Sequence, residues 1–136
     1  MTASSEGMWI PFKTFKPKLG RLNGSSSWVP GLLDPKPYLQ INLAPRARLI
    51  TRVATQANPE HDWWTTSYVL KYSLNGNQWK AYQTNDFIEV FLANSNRYTV
   101  ISHDIAQPFV ALFVRFYPVT KFFRSALRVE LYGCDA

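Results

Sequence analysis

Apolar and polar residues alternate most clearly in the segment Thr66–Ser73. Tyr68, Leu70 and Tyr72 occupy every second position of this segment, and mostly polar residues stand between them. A period of two residues is typical of a strand with one buried and one solvated face. We therefore expect the three large side chains to face a core.

A turn signal follows this strand directly. Asn75-Gly76 tolerates the positive φ of a tight hairpin turn, so the chain is expected to return as a second strand. Short segments rich in β-branched and aromatic residues recur elsewhere between prolines and glycines, and no segment has the period of an amphipathic helix. The pattern predicts an all-β sandwich or barrel of eight strands, at Tyr38–Leu43, Leu49–Gln56, Thr66–Ser73, Gln78–Tyr82, Phe87–Leu92, Tyr98–His103, Phe109–Tyr117 and Ala126–Tyr132.

Two of these strands alternate clearly enough to assign their faces. In Tyr38–Leu43 and in Ala126–Tyr132, every second residue is leucine, isoleucine or valine, and these residues are expected to face the core. Arg128 and Glu130 share the opposite face of the last strand. This placement favours a charge pair across strands at the rim of the sandwich over any catalytic use.

Composition limits the size and the partners of the protein. A chain of 136 residues with 46% hydrophobic and 18% charged residues fits one domain, residues 1–136, with a substantial core. Its net charge of +6 implies attraction to an anionic surface. No apolar run is long enough to span a bilayer, and the first residues do not form a secretion signal. The sequence thus predicts a soluble domain.

The residues that usually carry catalysis are sparse. The sequence lacks the HExxH, P-loop and G-x-S-x-G patterns and contains two histidines, so we expect no enzymatic activity and no cofactor. Asp34, Asp62 and Asp86 do not have the spacing of a calcium loop, and we expect no required metal. The single cysteine, Cys134, excludes an intramolecular disulfide and a site with several cysteines in this chain.

Several blocks of the sequence resemble the discoidin family, also called coagulation factor V/VIII type C domains. They are GRLNGSSSWVP, DPKPYLQINL, RLITRVATQ, WTTSYVLKYSLNGNQWKAY and the closing ALRVELYGC. The resemblance implies an extracellular, eight-stranded antiparallel jelly roll whose loops project at one end as spikes that bind membranes, glycans or proteins. Family members usually join the cysteine that matches Cys134 to one ahead of the first strand. Here that partner either lies outside this chain or never existed.

The resemblance places the first spike at Glu6–Phe12. Met8, Trp9 and Ile10 then stand at its tip, unless Trp9 folds back onto the nearby phenylalanines. Four basic residues follow within a short stretch, and they either ring the base of the binding end or are ordinary solvated charges. They are Lys13, Lys16, Lys18 and Arg21.

The third spike corresponds to Ala57–Trp64. Trp64 matches a family tryptophan that usually packs against the barrel, whereas Trp63 has no such counterpart and is expected to be exposed. His61 and Asp62 either bind a ligand or fill the loop with polar groups.

The second spike, Asn23–Ser27, is short and polar, so Ser25 and Ser26 are expected to contribute hydrogen bonds to a ligand. Trp28 and Trp79 are expected in the core.

The residue pattern and the family resemblance leave three candidate functions. The first is a monomeric, peripheral membrane module that recognises anionic phospholipid, such as phosphatidylserine, through apolar spikes. The alternative is a cell-adhesion module that binds glycans or proteins with the same loops. Nucleic-acid binding is disfavoured because the positive charges are dispersed and no known nucleic-acid module matches. The apolar residues of the spikes favour the membrane, since they offer more apolar surface than a sugar needs.

Overall fold

The computed structural model describes residues 1–9 and 13–136. Within this described part the chain forms thirteen strands and one turn of 3₁₀ helix at Pro17–Leu19, and it contains no α-helix. The strands are β1 (Thr2–Ala3), β2 (Gly7–Trp9), β3 (Lys13–Phe15), β4 (Leu39–Asn42), β5 (Arg48–Gln56), β6 (Trp64–Ser73), β7 (Lys80–Ala81), β8 (Gln83–Thr84), β9 (Phe87–Ile88), β10 (Phe91–Leu92), β11 (Ile101–Ala111), β12 (Phe113–Phe122) and β13 (Arg128–Asp135).

Two antiparallel sheets form the body of the molecule. The larger sheet has the order β1-β4-β12-β6-β10, with β7 also paired to β6, and the smaller has the order β11-β5-β13. Two separate hairpins, β2–β3 and β8–β9, are attached to this body. The predicted all-β antiparallel sandwich is confirmed.

The core lies between the two sheets. Phe116 of β12 is paired with Leu39 of β4 and with Leu70 of β6, which brings three inward-facing apolar side chains together. Full burial of each such side chain contributes roughly 1.5 to 3 kcal/mol. Other buried members of this core come from both sheets and from the segment before β4, and they include Trp28, Ile50, Val53, Tyr68, Phe91, Ile105, Phe109, Val114, Leu127 and Val129.

The hairpin after β6 confirms the alternation read from the sequence, with a wider turn than expected. Tyr68 and Leu70 are fully buried, and Tyr72 packs against the edge of the core. The last residue pair before the turn joins Tyr72 to Lys80, so the turn is not a two-residue one. Gly76 has φ +80°, and its amide donates to the Ser73 hydroxyl oxygen at 2.8 Å. The side chains of Ser73 and Asn75 thus accept bonds from backbone amides and stabilise a loop longer than two residues between β6 and β7.

One predicted strand is wrong. The apolar run Phe109–Tyr117 is not continuous, because β11 ends at Ala111 and β12 begins at Phe113. Ala111 pairs with β5 in the smaller sheet, whereas Phe113 pairs with β4 and β6 in the larger sheet. The chain changes sheets at Leu112. The sequence does not reveal this corner, because the strands on both sides of it are apolar and look like one continuous strand.

Other predicted boundaries also shift. The segments Tyr98–His103 and Phe109–Tyr117 both contribute to β11, which has an irregularity between Asp104 and Phe109. The predicted strand Phe87–Leu92 is divided into β9 and β10.

The two tryptophans expected in the core have different positions. Trp28 is fully buried, as predicted. Trp79 is only half-buried, and its ring centroid lies 3.9 Å from the Arg115 guanidinium carbon. The expectation for Trp79 is wrong because its indole covers a cation instead of entering the space between the sheets.

Candidate functional site

The loops singled out from the sequence meet at one end of the sandwich. β5 ends at Gln56, β6 begins at Trp64, and Trp64 is paired with Phe122, the last residue of β12. The connections between these strands therefore project in the same direction. We call this the loop end.

The first spike is the hairpin that joins β2 to β3. Met8 and Trp9 are exposed on it, as predicted, and Trp9 keeps 45% of its surface accessible. The Trp9 ring contacts the Trp63 ring edge-on, with 5.2 Å between centroids. Ile10 lies outside the described residues. The spike thus presents an exposed thioether and an indole that is supported from one side.

Trp63 supports the first spike and is not exposed as expected. It is only 7% accessible and lies 5.5 Å from the Phe15 ring in a small cluster with Val29 and Ala126. The prediction of an exposed Trp63 is wrong because the hairpin β2–β3 folds over the third spike and covers its indole. Trp64 packs against the sandwich as predicted, with its ring stacked 4.8 Å from Phe122.

His61 and Asp62 have partners within the loop end. The His61 ring stacks on Trp63 at 4.0 Å between centroids. Asp62 accepts a hydrogen bond from Arg97 Nε at 2.8 Å. Asn58 Oδ1 accepts bonds from the amides of Glu60 and His61, at 2.7 and 2.9 Å. These contacts favour the loop-filling role for the two residues.

Glu60 joins all three spikes. Its carboxylate accepts bonds from Lys13 Nζ at 2.6 Å and from the Ser26 hydroxyl at 2.7 Å. Partial burial alone would raise the pKa of Glu60, but the bonds from Lys13 and Ser26 outweigh it and lower the pKa below its ordinary value. Ser26 is buried and its hydroxyl already bonds Glu60, whereas Ser25 is exposed. Of the two serines predicted to bond a ligand, Ser25 is thus the accessible one.

The other predicted cations remain at the surface. Arg21 lies 3.8 Å from a Glu130 carboxylate oxygen, and Lys16 and Lys18 are exposed. The Arg21–Glu130 contact joins β13 to the segment before the second spike.

Arg128 is the residue whose role the sequence analysis misjudged most. It is 3% accessible, and its guanidinium donates to three backbone carbonyls, those of Ala57 at 2.7 Å, Gly24 at 2.9 Å and Arg97 at 2.8 Å. Burial lowers the pKa of this guanidinium. The predicted charge pair at the rim is wrong for Arg128, because its side chain turns under the loops and carbonyl oxygens take the place of a carboxylate, whereas Glu130 does pair with Arg21. Arg128 thus ties the second spike, the third spike and the loop at Arg97 to β13.

Exposed apolar residues that the sequence analysis missed extend the first spike. Leu33 is 96% accessible and Phe123 is 76% accessible, and their neighbours Leu32 and Phe122 are also exposed. Phe123 has φ +62°, which is uncommon for a bulky residue, and its ring contacts that of Phe122 edge-on, with 4.9 Å between centroids. The sequence signal that could have found them is the pair of adjacent phenylalanines at the point where β12 ends and the chain enters a loop.

Arg124 lies among these apolar residues. Its Nη1 donates to the Met8 carbonyl oxygen at 3.1 Å, and its guanidinium lies 4.9 Å from the Trp63 ring centroid. Its Nε is buried and has no hydrogen-bond partner among the described residues. Lys121, Leu32 and Arg124 line one cleft, which Asp34 also lines without reaching ion-pair distance of either cation. The loop end therefore combines an apolar rim with cations that lack a carboxylate partner in the described part of the chain.

The described part of the chain contains no group of three His, Cys, Asp or Glu residues close enough to hold a metal ion. Cys134 is exposed and its thiol is free. No helix there has the length and apolar character needed to cross a membrane.

Comparison with known proteins identifies the family. The F5/8 type C domain model matches residues 1–131. Human contactin-associated protein 1 is 36% identical over 87% of this chain, which spans only 9% of that protein. Discoidin II from Dictyostelium discoideum, a solved structure, has a TM-score of 0.80 and 25% identity, and the match covers 98% of this chain and 54% of discoidin II.

A more distant neighbour shares the fold alone. The family 32 carbohydrate-binding module of Clostridium perfringens NanJ, solved in complex with galactose, has a TM-score of 0.72 and 13% identity, with 95% of this chain and 89% of the module covered. The match of the family model over nearly the whole chain, the antiparallel sandwich and the clustered loops lead to one assignment. The chain belongs to the F5/8 type C, or discoidin, domain family, whose members are binding modules.

Proposed function

We propose that this domain is a non-enzymatic, extracellular module that docks its loop end on membranes containing anionic phospholipid such as phosphatidylserine. The observation that carries the proposal is the apolar rim of the loop end, which we define as Met8, Trp9, Leu32, Phe122 and Phe123. Large apolar side chains that cluster on a soluble surface mark an interaction site. Indole rings suit the depth of the membrane interface because they are amphipathic.

The energetic terms favour insertion over charge. Removal of one large apolar side chain from water contributes roughly 1.5 to 3 kcal/mol. A basic residue near an anionic surface contributes about 1 kcal/mol, and salt screens this attraction. The apolar rim therefore supplies most of the affinity, while Lys121, Arg124 and the exposed Lys16 and Lys18 add selectivity for anionic lipid.

Glycan binding is the second candidate. The observation that favours it is the similarity in fold to the carbohydrate-binding module that was solved with galactose. A sugar site needs several free polar groups beside an aromatic ring. At the loop end, however, Ser26, Glu60 and Asp62 already have partners. This arrangement supports the membrane over the sugar.

Vesicle co-sedimentation with a double variant tests the proposal. Trp9→Ser combined with Phe123→Ser removes two exposed rings of the rim, so binding to phosphatidylserine vesicles should weaken at least tenfold at about 0.15 M salt. The matched control is Leu74→Ser, which removes an exposed apolar residue at the opposite end of β6.

Folding of both variants is checked by thermal unfolding. The control should bind vesicles as the unmodified protein does. If the double variant stays folded and also binds as the unmodified protein does, insertion of the rim is refuted. A glycan array run with the same proteins then tests the second candidate.

A further inference from the structure

A second apolar surface lies on the outer face of the larger sheet. Val69 of β6 and Val119 of β12 line a groove there. Val69 points outward because Tyr68 and Leu70 on either side of it face the core, and Val119 lies at the irregularity of β12 between Pro118 and Thr120. The segment Pro35–Pro37 forms one wall and Ile88 of β9 forms the other. The groove has a volume of about 350 Å³. It is separate from the apolar rim of the loop end, with which it shares no residue.

The exposure of these side chains departs from the usual pattern of an antiparallel sandwich. The outer face of such a sheet is normally polar because it contacts water. On this face Val119 of β12 is 55% accessible. Ile88 of β9, beside the sheet, is 52% accessible, and its neighbours Phe87 and Val90 are also exposed. An apolar strip of this kind marks a surface that a partner covers.

The charge of the groove limits the chemistry of that partner. Lys36 and Lys71 line it, and none of the described residues that line it is acidic. Lys71 Nζ lies 5.1 Å from the Tyr117 ring centroid, and neither lysine has a carboxylate within ion-pair distance in the described part of the chain. The two cations thus favour an acidic partner.

The placement of the apolar side chains favours an extended partner. Val69 and Val119 come from neighbouring strands of the sheet and Ile88 from β9 beside them. In an extended chain every second side chain lies on the same face, so apolar residues at alternate positions can contact all three.

We propose that this groove binds an extended, acidic segment of a protein partner. Apolar side chains at alternate positions of the segment would contact Val69, Val119 and Ile88, and flanking carboxylates would pair with Lys36 and Lys71. A domain with these two surfaces holds a protein segment on its sheet while its loop end remains available.

A synthetic peptide provides the test. The probe is the acetylated, amidated heptapeptide Asp-Leu-Ser-Leu-Ser-Leu-Asp, whose leucines share one face when the chain is extended. The matched control peptide has lysine in place of both aspartates. Methyl NMR of the whole chain follows Val69, Val119 and Ile88. The acidic peptide should shift these three methyl signals, and the basic peptide should shift them at least fivefold less at equal concentration.

Two variants test the mechanism. Ile88→Ser with Val119→Ser should abolish the shifts of the remaining groove methyls, and both sites are exposed enough for the fold to persist. Lys36→Glu with Lys71→Glu should reverse the preference between the two peptides.

Three results would overturn the proposal: no shift at the groove methyls up to millimolar peptide, equal shifts by both peptides, or shifts confined to Met8 and the loop end. Phosphatidylserine vesicles serve as a further probe. If vesicles perturb the groove methyls instead of the rim, the groove faces a membrane and the peptide proposal is wrong. None of these outcomes depends on the tryptophan and phenylalanine variants of the vesicle experiment.

Discussion

Arg128 shows how one buried side chain holds three loops together. Its planar guanidinium directs several N–H donors along fixed lines, and it uses Nε, Nη1 and Nη2 on three separate carbonyls. A lysine has three donors on one nitrogen atom and cannot reach three carbonyls in different directions. The loops at Gly24, Ala57 and Arg97 therefore share one support.

Substitution of Arg128 should loosen these loops together. Arg128→Lys leaves buried carbonyl oxygens without donors, and we expect a loss of about 2 to 4 kcal/mol in the free energy of unfolding. Chemical denaturation measures this change, and amide exchange should rise in all three loops. Arg52→Lys is the matched control, because Arg52 pairs with Asp104 at the surface and should change stability by less than about 0.5 kcal/mol. Faster exchange in only one loop would show that Arg128 does not couple them.

At the level of the elements, the sequence predicted β6 and β4 well because each buries one face. Tyr68, Leu70 and Leu39 all lie in the core where the period of two places them. The corner at Leu112 and the position of Trp63 could not be read in the same way. The corner depends on which sheet each strand joins. The burial of Trp63 depends on a distant hairpin that folds over the third spike. The local pattern of apolar and polar residues contains neither kind of information.

Glu60 couples the hairpin β2–β3 to the second spike, and this coupling should depend on pH. The folded-state pKa of Glu60 is lowered, so its bonds to Lys13 and Ser26 persist above its ordinary pKa and are lost as the pH falls through the folded value. Glu60→Gln should therefore perturb the NMR signals of Lys13 and Ser26 at neutral pH. That difference from the unmodified protein should fade only as the pH falls through the lowered folded-state pKa of Glu60.

The stability change in this variant should stay under about 1 kcal/mol, because the bond between Lys13 and Glu60 is partly exposed. Asp86→Asn at the turn of the β8–β9 hairpin is the matched control, and it should leave both signals unchanged. A difference between Glu60→Gln and the unmodified protein that persists at low pH would contradict the assigned role of the carboxylate.

At the level of the whole molecule, the exposed apolar residues are not spread evenly. One group forms the apolar rim of the loop end, and another forms the groove on the outer face of the larger sheet. The positive charge, by contrast, is dispersed, and several cations are paired with carboxylates. In the proposed docking, charge would therefore attract the domain to anionic surfaces in general, and the apolar rim would determine its orientation on them.

The orientation can be measured with the tryptophans of the protein. Trp28 and Trp63 are buried, Trp64 is stacked on Phe122, and Trp79 covers Arg115. Trp9 is thus the indole best placed to enter a membrane, and lipids with brominated chains should quench its emission. Trp9→Phe should remove most of that quenching. It should change vesicle affinity less than threefold, because phenylalanine keeps an apolar ring at the tip.

Trp79→Phe is the matched control for this experiment, and its emission should be quenched by brominated lipid as strongly as that of the unmodified protein. The quenching reports orientation independently of affinity, since both variants still bind. If Trp79→Phe removes the quenching while Trp9→Phe retains it, the domain lies on the membrane through a different face. Insertion would then have to be assigned to the surface around Trp79, where its indole covers Arg115 of β12.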